Sequence, residues 1–196
     1  MHAILHPALA ATAARIWAAA VILTTAVAMD GRVVQAADAT VSAEQPPARA
    51  VVVVQQADDG GILLSGSDAA IRGTMLRWEP QEKKRTLGFW TKVEDAAEWT
   101  FHVRSPGTFD VEVLQGCGTG QGGSDMLVTL DPDSGAETKI TFVVADTGGF
   151  QEFRPRTIGR VTIGEAGEHR LRIKPTRIAK SAACDVRQIR LVPTAN

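Results

Sequence analysis

The stretch Trp99-Thr-Phe-His-Val-Arg-Ser-Pro-Gly-Thr-Phe-Asp-Val-Glu-Val113 decides the fold. Trp99, Phe101 and Val103 alternate with Thr100, His102 and Arg104, and Phe109, Val111 and Val113 alternate with Asp110 and Glu112. A period of two puts every apolar side chain on one face of an extended strand and every polar one on the other. Ser105-Pro106-Gly107 between the two runs is a turn signal. The segment therefore reads as two strands joined by a turn, each with one face toward a core.

The same pattern continues outward. Met126, Val128 and Leu130 lead into Asp131-Pro-Asp-Ser-Gly135, a turn, and Ile140, Phe142 and Val144 follow it. Leu171 and Ile173 are interleaved with Arg170, Arg172 and Lys174, Val51–Val54 opens the series and Cys184–Val192 closes it. About ten short strands with turns between them, and no convincing helix, predict an all-β antiparallel sandwich or jelly roll over residues 51–196.

Ahead of this domain, Arg15 precedes a fourteen-residue apolar run from Ile16 to Met29, short of the ~20 residues a membrane-spanning helix needs. A cation, a short apolar run and then small residues is the order of a secretory signal. Cleavage fits after Ala28 or, after a polar region with Asp30 and Arg32, after Ala36. Residues 1–36 are thus expected to be a signal peptide and 37–50, with Pro46-Pro47, a flexible linker. A secreted or periplasmic domain follows, with no membrane attachment once the signal is cleaved.

The whole chain carries a net charge of −1, which speaks against nucleic acid as a partner. Cys117 and Cys184 both fall in the exported part, where an oxidising compartment permits a disulfide between them; two separately buried thiols are the alternative.

Catalytic signals are weak. Only His102 and His169 lie beyond the leader, each at a polar strand position, and no His-x-x-x-His, Cys-x-x-Cys or Gly-x-Ser-x-Gly occurs. The glycine-rich run 116–124 has no lysine and leads into a strand, so it reads as a flexible loop and not a phosphate cradle. Asp131-x-Asp133-x-Gly135 lacks the remaining ligands of a calcium loop. The chain reads as a non-enzyme with no required cofactor.

Binding candidates are aromatic and basic. Trp90 in Gly88-Phe89-Trp90-Thr91 and Phe150 in Thr147-Gly148-Gly149-Phe150 are candidate loop aromatics able to stack on a sugar ring; an aromatic that plugs the end of the core is the alternative for both, and the plainer one for Trp90. Arg170, Arg172 and Lys174 share one strand face, a stripe able to meet an anionic glycan; a solvated face balanced by neighbouring acids is the plainer reading.

Several short segments in order, Ser67-Asp68-Ala69-Ala70-Ile71-Arg72-Gly73, Leu87-Gly88-Phe89-Trp90, Glu98-Trp99-Thr100-Phe101, Pro106-Gly107-Thr108-Phe109, Thr147-Gly148-Gly149-Phe150 and Gly167-Glu168-His169-Arg170-Leu171, resemble the β-sandwich domain C-terminal to bacterial alpha-L-fucosidases and sulfatases. More distantly the chain is similar to the family 6 carbohydrate-binding modules, a galactose-binding-like jelly roll. That resemblance implies a sugar held between two loop aromatics, at positions matched here by Phe150 and by Phe89 or Trp90. It also implies a structural calcium on an aspartate matched by Asp185. The sequence departs from the pattern at Ala183, where the modules have a sugar-binding Asn, and at Ser67, where an acid of the calcium site is expected.

The first functional expectation is accordingly a carbohydrate-binding-like module for anionic or fucosylated glycans, with polysaccharide as partner. The alternative is a structural or protein-interaction sandwich that meets an exported enzyme or surface protein. A third, a small glycan-acting hydrolase, requires acids converging in a pocket.

Overall fold

The computed structural model describes residues 51–194. The signal-peptide and linker assignments, 1–36 and 37–50, lie outside the described residues.

Twelve strands and one 3₁₀ turn make up the described chain: β1 Val53–Gln55, β2 Ile62–Ser65, the turn Gly66–Asp68, β3 Ala70–Arg72, β4 Arg77–Glu79, β5 Thr86–Gly88, β6 Ala96–Val103, β7 Gly107–Cys117, β8 Asp125–Leu130, β9 Thr138–Val143, β10 Gly149–Ile163, β11 Gly167–Arg177 and β12 Asp185–Pro193. One sheet runs β1-β6-β11-β8-β9, with β3 sharing the β1 edge of β6. The other runs β10-β7-β12-β5-β4, with β2 also on β12. All pairings are antiparallel except β1 with β6. No helix among the described residues is long and apolar enough to cross a membrane.

The alternating runs do what their period dictates. Trp99, Phe101 and Val103, then Phe109, Val111 and Val113, and Leu171 and Ile173 are all buried at 0–1% exposure, while the residues between them lie at the surface or half-buried. β6, β11 and β8 supply one wall of the core; β7, β12, β2 and β5 supply the other. The indole N–H of Trp99 donates to the Ser65 carbonyl at 2.6 Å, tying the two sheets together.

Two features of the sequence behave differently from expectation. Residues 149–163 form one long strand, so Phe150 stands at the start of β10 and not in a loop. The glycine run is not a free loop either. β7 continues through Cys117, and 118–124 is laced to 144–149. There, Cys117 N–H donates to Thr147 Oγ1 (2.7 Å), Thr119 Oγ1 to the Gly148 carbonyl (2.9 Å) and Gly120 N–H to the Asp146 carboxylate.

Cys117 and Cys184 are buried free thiols. The β7–β12 register pairs Asp185 with Gly116, which sets the two cysteines opposite one another one residue further on. Cys117 Sγ turns to the Ala183 carbonyl at 3.9 Å instead of to its counterpart. Burial, and then the nearby charges of Asp146 and Asp185, push the Cys117 thiol up to about 11; burial raises Cys184 further. Only the thiolate is nucleophilic. The reduced native protein should therefore resist iodoacetamide at pH 8 and take up two equivalents once unfolded, as read by intact mass. Labelling of either cysteine in the folded state would contradict this placement.

Candidate functional site

Phe89 and Trp90 are adjacent yet face opposite ways. Phe89 has a φ of +63°, a left-handed conformation unusual for a bulky residue,. The reversal sends its ring outward, 39% exposed, and sends Trp90 into the core at 0%. Trp90 donates its indole N–H to the Asp95 carbonyl at 2.9 Å. The expectation that Trp90 stacks on a ligand is thereby corrected: it is a core residue, and Phe89 is the aromatic at the surface. Strain of this kind is kept only where the surroundings enforce it. Here Thr91 N–H donates to the Phe89 carbonyl (2.9 Å) and Ala183 N–H to the Trp90 carbonyl (2.8 Å).

Phe89 and Phe150 line one cavity of about 350 Å³ at an end of the sandwich, with Glu79, Lys84, Thr91, Gln151, Ser181, Ala182 and Asp185. Each ring has a backing. The Arg77 guanidinium lies 3.4 Å from the Phe89 ring centroid, a cation–π contact that fixes the ring. Phe150 lies on Gly118, where any Cβ would come within 2.8 Å of the ring, and Gly116 leaves room for the Phe150 backbone in the same way. The glycines thus serve close approach.

The cavity floor is acidic. Lys84 Nζ pairs with Glu79 Oε1 at 2.6 Å, and the turn carrying Lys84 is held by Arg187, which donates to the Lys83 and Lys84 carbonyls at 3.0 and 2.8 Å. Asp185 is only 7% exposed. Burial, and then the charge of Glu79, push its carboxyl up to about 7 against the opposing pull of Lys84. Both carboxylates reach over Gly88, where an added Cβ would lie 2.4 Å from Glu79 Oε2 and 3.2 Å from Asp185 Oδ1.

These residues do not suit the calcium that the resemblance implies for Asp185. Among the described residues no group of three His, Cys, Asp or Glu side chains is placed to hold a metal ion, and Glu79 is already paired with the Lys84 ammonium.

The basic stripe lies elsewhere and is largely neutralised. Arg170, Arg172 and Lys174 do share the outer face of β11. Glu98, buried at 6% exposure, pairs with Arg172 at 2.8 Å, Arg170 at 3.4 Å and Arg72 at 3.5 Å. Arg172 also pairs with Asp133 at 2.7 Å. Burial pushes the Glu98 carboxyl up, but the Arg172 hydrogen bond and the three positive charges outweigh it and hold it below its usual value. An anionic polymer would have to compete with these acids for Arg170 and Arg172; of the three, Lys174 alone has no ion pair among the described residues. The Asp131–Gly135 turn is occupied too. Asp131 accepts from Arg170 N–H at 2.9 Å and pairs with His169 Nδ1 at 2.8 Å. His169 is therefore engaged and not simply solvent-facing, and His102 is half-buried.

The sequence pointed to Phe89, Phe150 and Asp185, which the structure brings together, and to Trp90 and the β11 stripe, which it separates from them. It gave no sign of Glu79, Lys84, Thr91 or Ser181, whose proximity depends on the β4–β5 hairpin and the 178–184 loop folding to the same end.

No family model and no curated protein matches the chain. Solved structures share its fold. It is similar to the C-terminal family 6 carbohydrate-binding module of a marine laminarinase from Zobellia galactanivorans, with a TM-score of 0.54, 15% identity, and 67% of this chain and 98% of that one covered. It is similar to a second family 6 module, from Cellvibrio mixtus lichenase 5A in complex with cellotriose, at 0.50 and 19% identity, with 68% and 97% covered. Its likeness to the alpha-L-fucosidase from Vibrio sp. strain EJY3 is weaker, at 0.45 and 16% identity, with 72% of this chain and 24% of that one covered. The fold is the galactose-binding-like jelly roll of the carbohydrate-binding modules.

Proposed function

We propose that this chain is an exported, non-catalytic glycan-binding module whose site is the cavity between Phe89 and Phe150. The observation that carries it is the pairing of two partly exposed, rigidly backed aromatic rings across a cavity with polar groups on its floor and rim. Sugar C–H faces meet aromatic rings favourably, and Thr91, Gln151, Ser181 and Asp185 supply hydrogen-bonding groups for hydroxyls. Carbohydrate-binding modules with this fold, one of them in complex with cellotriose, support the same reading. Fucosylated oligosaccharides belong to the candidate class because fucose carries a methyl in place of the hydroxymethyl group, and that methyl suits an aromatic wall. The β11 stripe does not enter the site.

Affinity electrophoresis and calorimetry with β-glucan and fucosylated oligosaccharides test the reading. Binding should be lost, by about tenfold or more, in Phe150→Ala, in keeping with the ~1–3 kcal/mol usual for a stacked or buried side chain. Binding unaffected by Phe150→Ala would remove this site.

Convergence of Glu79 and Asp185 favours a second reading, acid catalysis of glycan cleavage, since one carboxyl pushed up to about 7 beside another is a pattern of general acids,. Release of reducing ends from the oligosaccharides, abolished by Asp185→Asn, would establish it in place of binding alone.

A further inference from the structure

We infer that the Phe89–Phe150 cavity selects saccharides carrying a protonated amine, such as 2-amino-2-deoxy sugars, over neutral and acidic ones. This rests on the glycan-binding reading of the same cavity and names the substrate class within it.

The lining contains three charged side chains, Glu79, Asp185 and Lys84. Lys84 is committed to Glu79 at 2.6 Å, which leaves Asp185 without a cation to balance it. That carboxylate has no hydrogen bond and no cation within ion-pairing distance among the described residues, though it is more than nine-tenths buried. A buried carboxylate without donors costs several kcal/mol in general, and native interiors rarely leave one so. The residue lines the cavity.

An ammonium supplies what is missing. It carries up to three N–H donors and a positive charge, and a charge-assisted hydrogen bond to a carboxylate is about twice as strong as a neutral one. Phe150 adds a ring face that attracts a cation, whereas Phe89 already carries the Arg77 guanidinium. A sugar hydroxyl can donate to Asp185 but brings no charge. A uronate or sulfate would face two carboxylates across a desolvated floor, with the sole ammonium already paired. The geometry thus reverses the preference that the basic stripe suggested from sequence.

The test compares β-1,4-linked glucosamine trisaccharide with cellotriose, which differ in having a protonable amine or a hydroxyl at each C2, by calorimetry at pH 7. Wild-type protein should bind the amino sugar about tenfold more tightly. In Asp185→Asn, a same-shape change that removes the charge, the ratio of the two affinities should fall to about one. Glu79→Gln, which releases Lys84 to face the ligand, should lower it as well. A wild-type ratio of one or below, or a ratio that Asp185→Asn leaves in place, overturns the inference. Equal binding of both sugars that still depends on Phe150 leaves glycan binding standing while the amine preference fails; absence of binding by either sugar removes both.

Discussion

Asp185→Asn is expected to stabilise the folded protein at pH 8 by about 3–4 kcal/mol. The folded carboxyl is pushed up to about 7 by burial and by Glu79, whereas in the unfolded chain it ionises in the ordinary carboxylate range. Between those two values the folded state holds a proton that the unfolded state has released. Stability therefore falls as pH rises from about 4 to about 7 and stays low above it, by ~1.4 kcal/mol per unit of difference. Asparagine removes this penalty at high pH and changes little near pH 4, where both states are neutral. Glu79 and Lys84 on the β4–β5 side, Cys117 at the end of β7 and Cys184 just before β12 face the same group. Of these, Lys84 partly offsets the cost in the wild type. Thermal unfolding should show a Tm gain of roughly 5–10 °C at pH 8, shrinking toward zero at pH 4. A variant less stable than wild type at pH 8, or a gain independent of pH, would contradict the account. Such a gain from a site residue is the expected sign of stability given up for binding.

Trp90→Ala is expected to have the opposite sign and a similar size, a loss of about 3–5 kcal/mol. Its ring is fully buried among the sandwich core, and its indole N–H satisfies the Asp95 carbonyl. Asp95 in turn accepts from the backbone N–H groups of Thr74, Met75 and Leu76 at 2.8, 3.0 and 2.8 Å. Cavity formation at Trp90 would thus loosen the segment that leads into β4 and carries Arg77. The neighbouring Phe89→Ala, at an exposed ring, should change stability by less than about 1 kcal/mol and weaken ligand binding instead. Chemical denaturation of both variants separates them: a stable Trp90→Ala protein, or a strongly destabilised Phe89→Ala one, would reverse the assignment of core and site.

This contrast marks how far the sequence could be read. Alternation revealed β6, β7, β8, β9 and β11 because each buries one face and wets the other. β10 escaped it for a physical reason. It is an edge strand paired only with β7, with register shifts between Gly149 and Arg154 and between Thr157 and Gly159, and with Pro155, which an edge strand tolerates,. Each bulge resets which side chains face inward, so no period of two survives. The two aromatic neighbours at 89 and 90 could not be told apart in sequence either, because their opposite directions follow from one positive φ at Phe89. The β11 stripe was legible as a shared face, but not its neutralisation. That depends on Glu98 pairing across β6–β11, at a position whose burial comes from β3 and the arginines that cover it. The acidic floor was the least legible part. Glu79 and Asp185 lie far apart along the chain and meet because β4, β5 and β12 are neighbours in one sheet.

The central claim is that ligand enters between Phe89 and Phe150, and an amide NMR titration tests it most directly. On adding the bound oligosaccharide, the resonances of Phe89, Thr91, Phe150, Gln151 and Ser181 should shift together and saturate with one affinity, while Arg170, Arg172 and Lys174 on the outer face of β11 stay in place. Shifts confined to the β11 face, with the Phe89–Phe150 cavity silent, would contradict it.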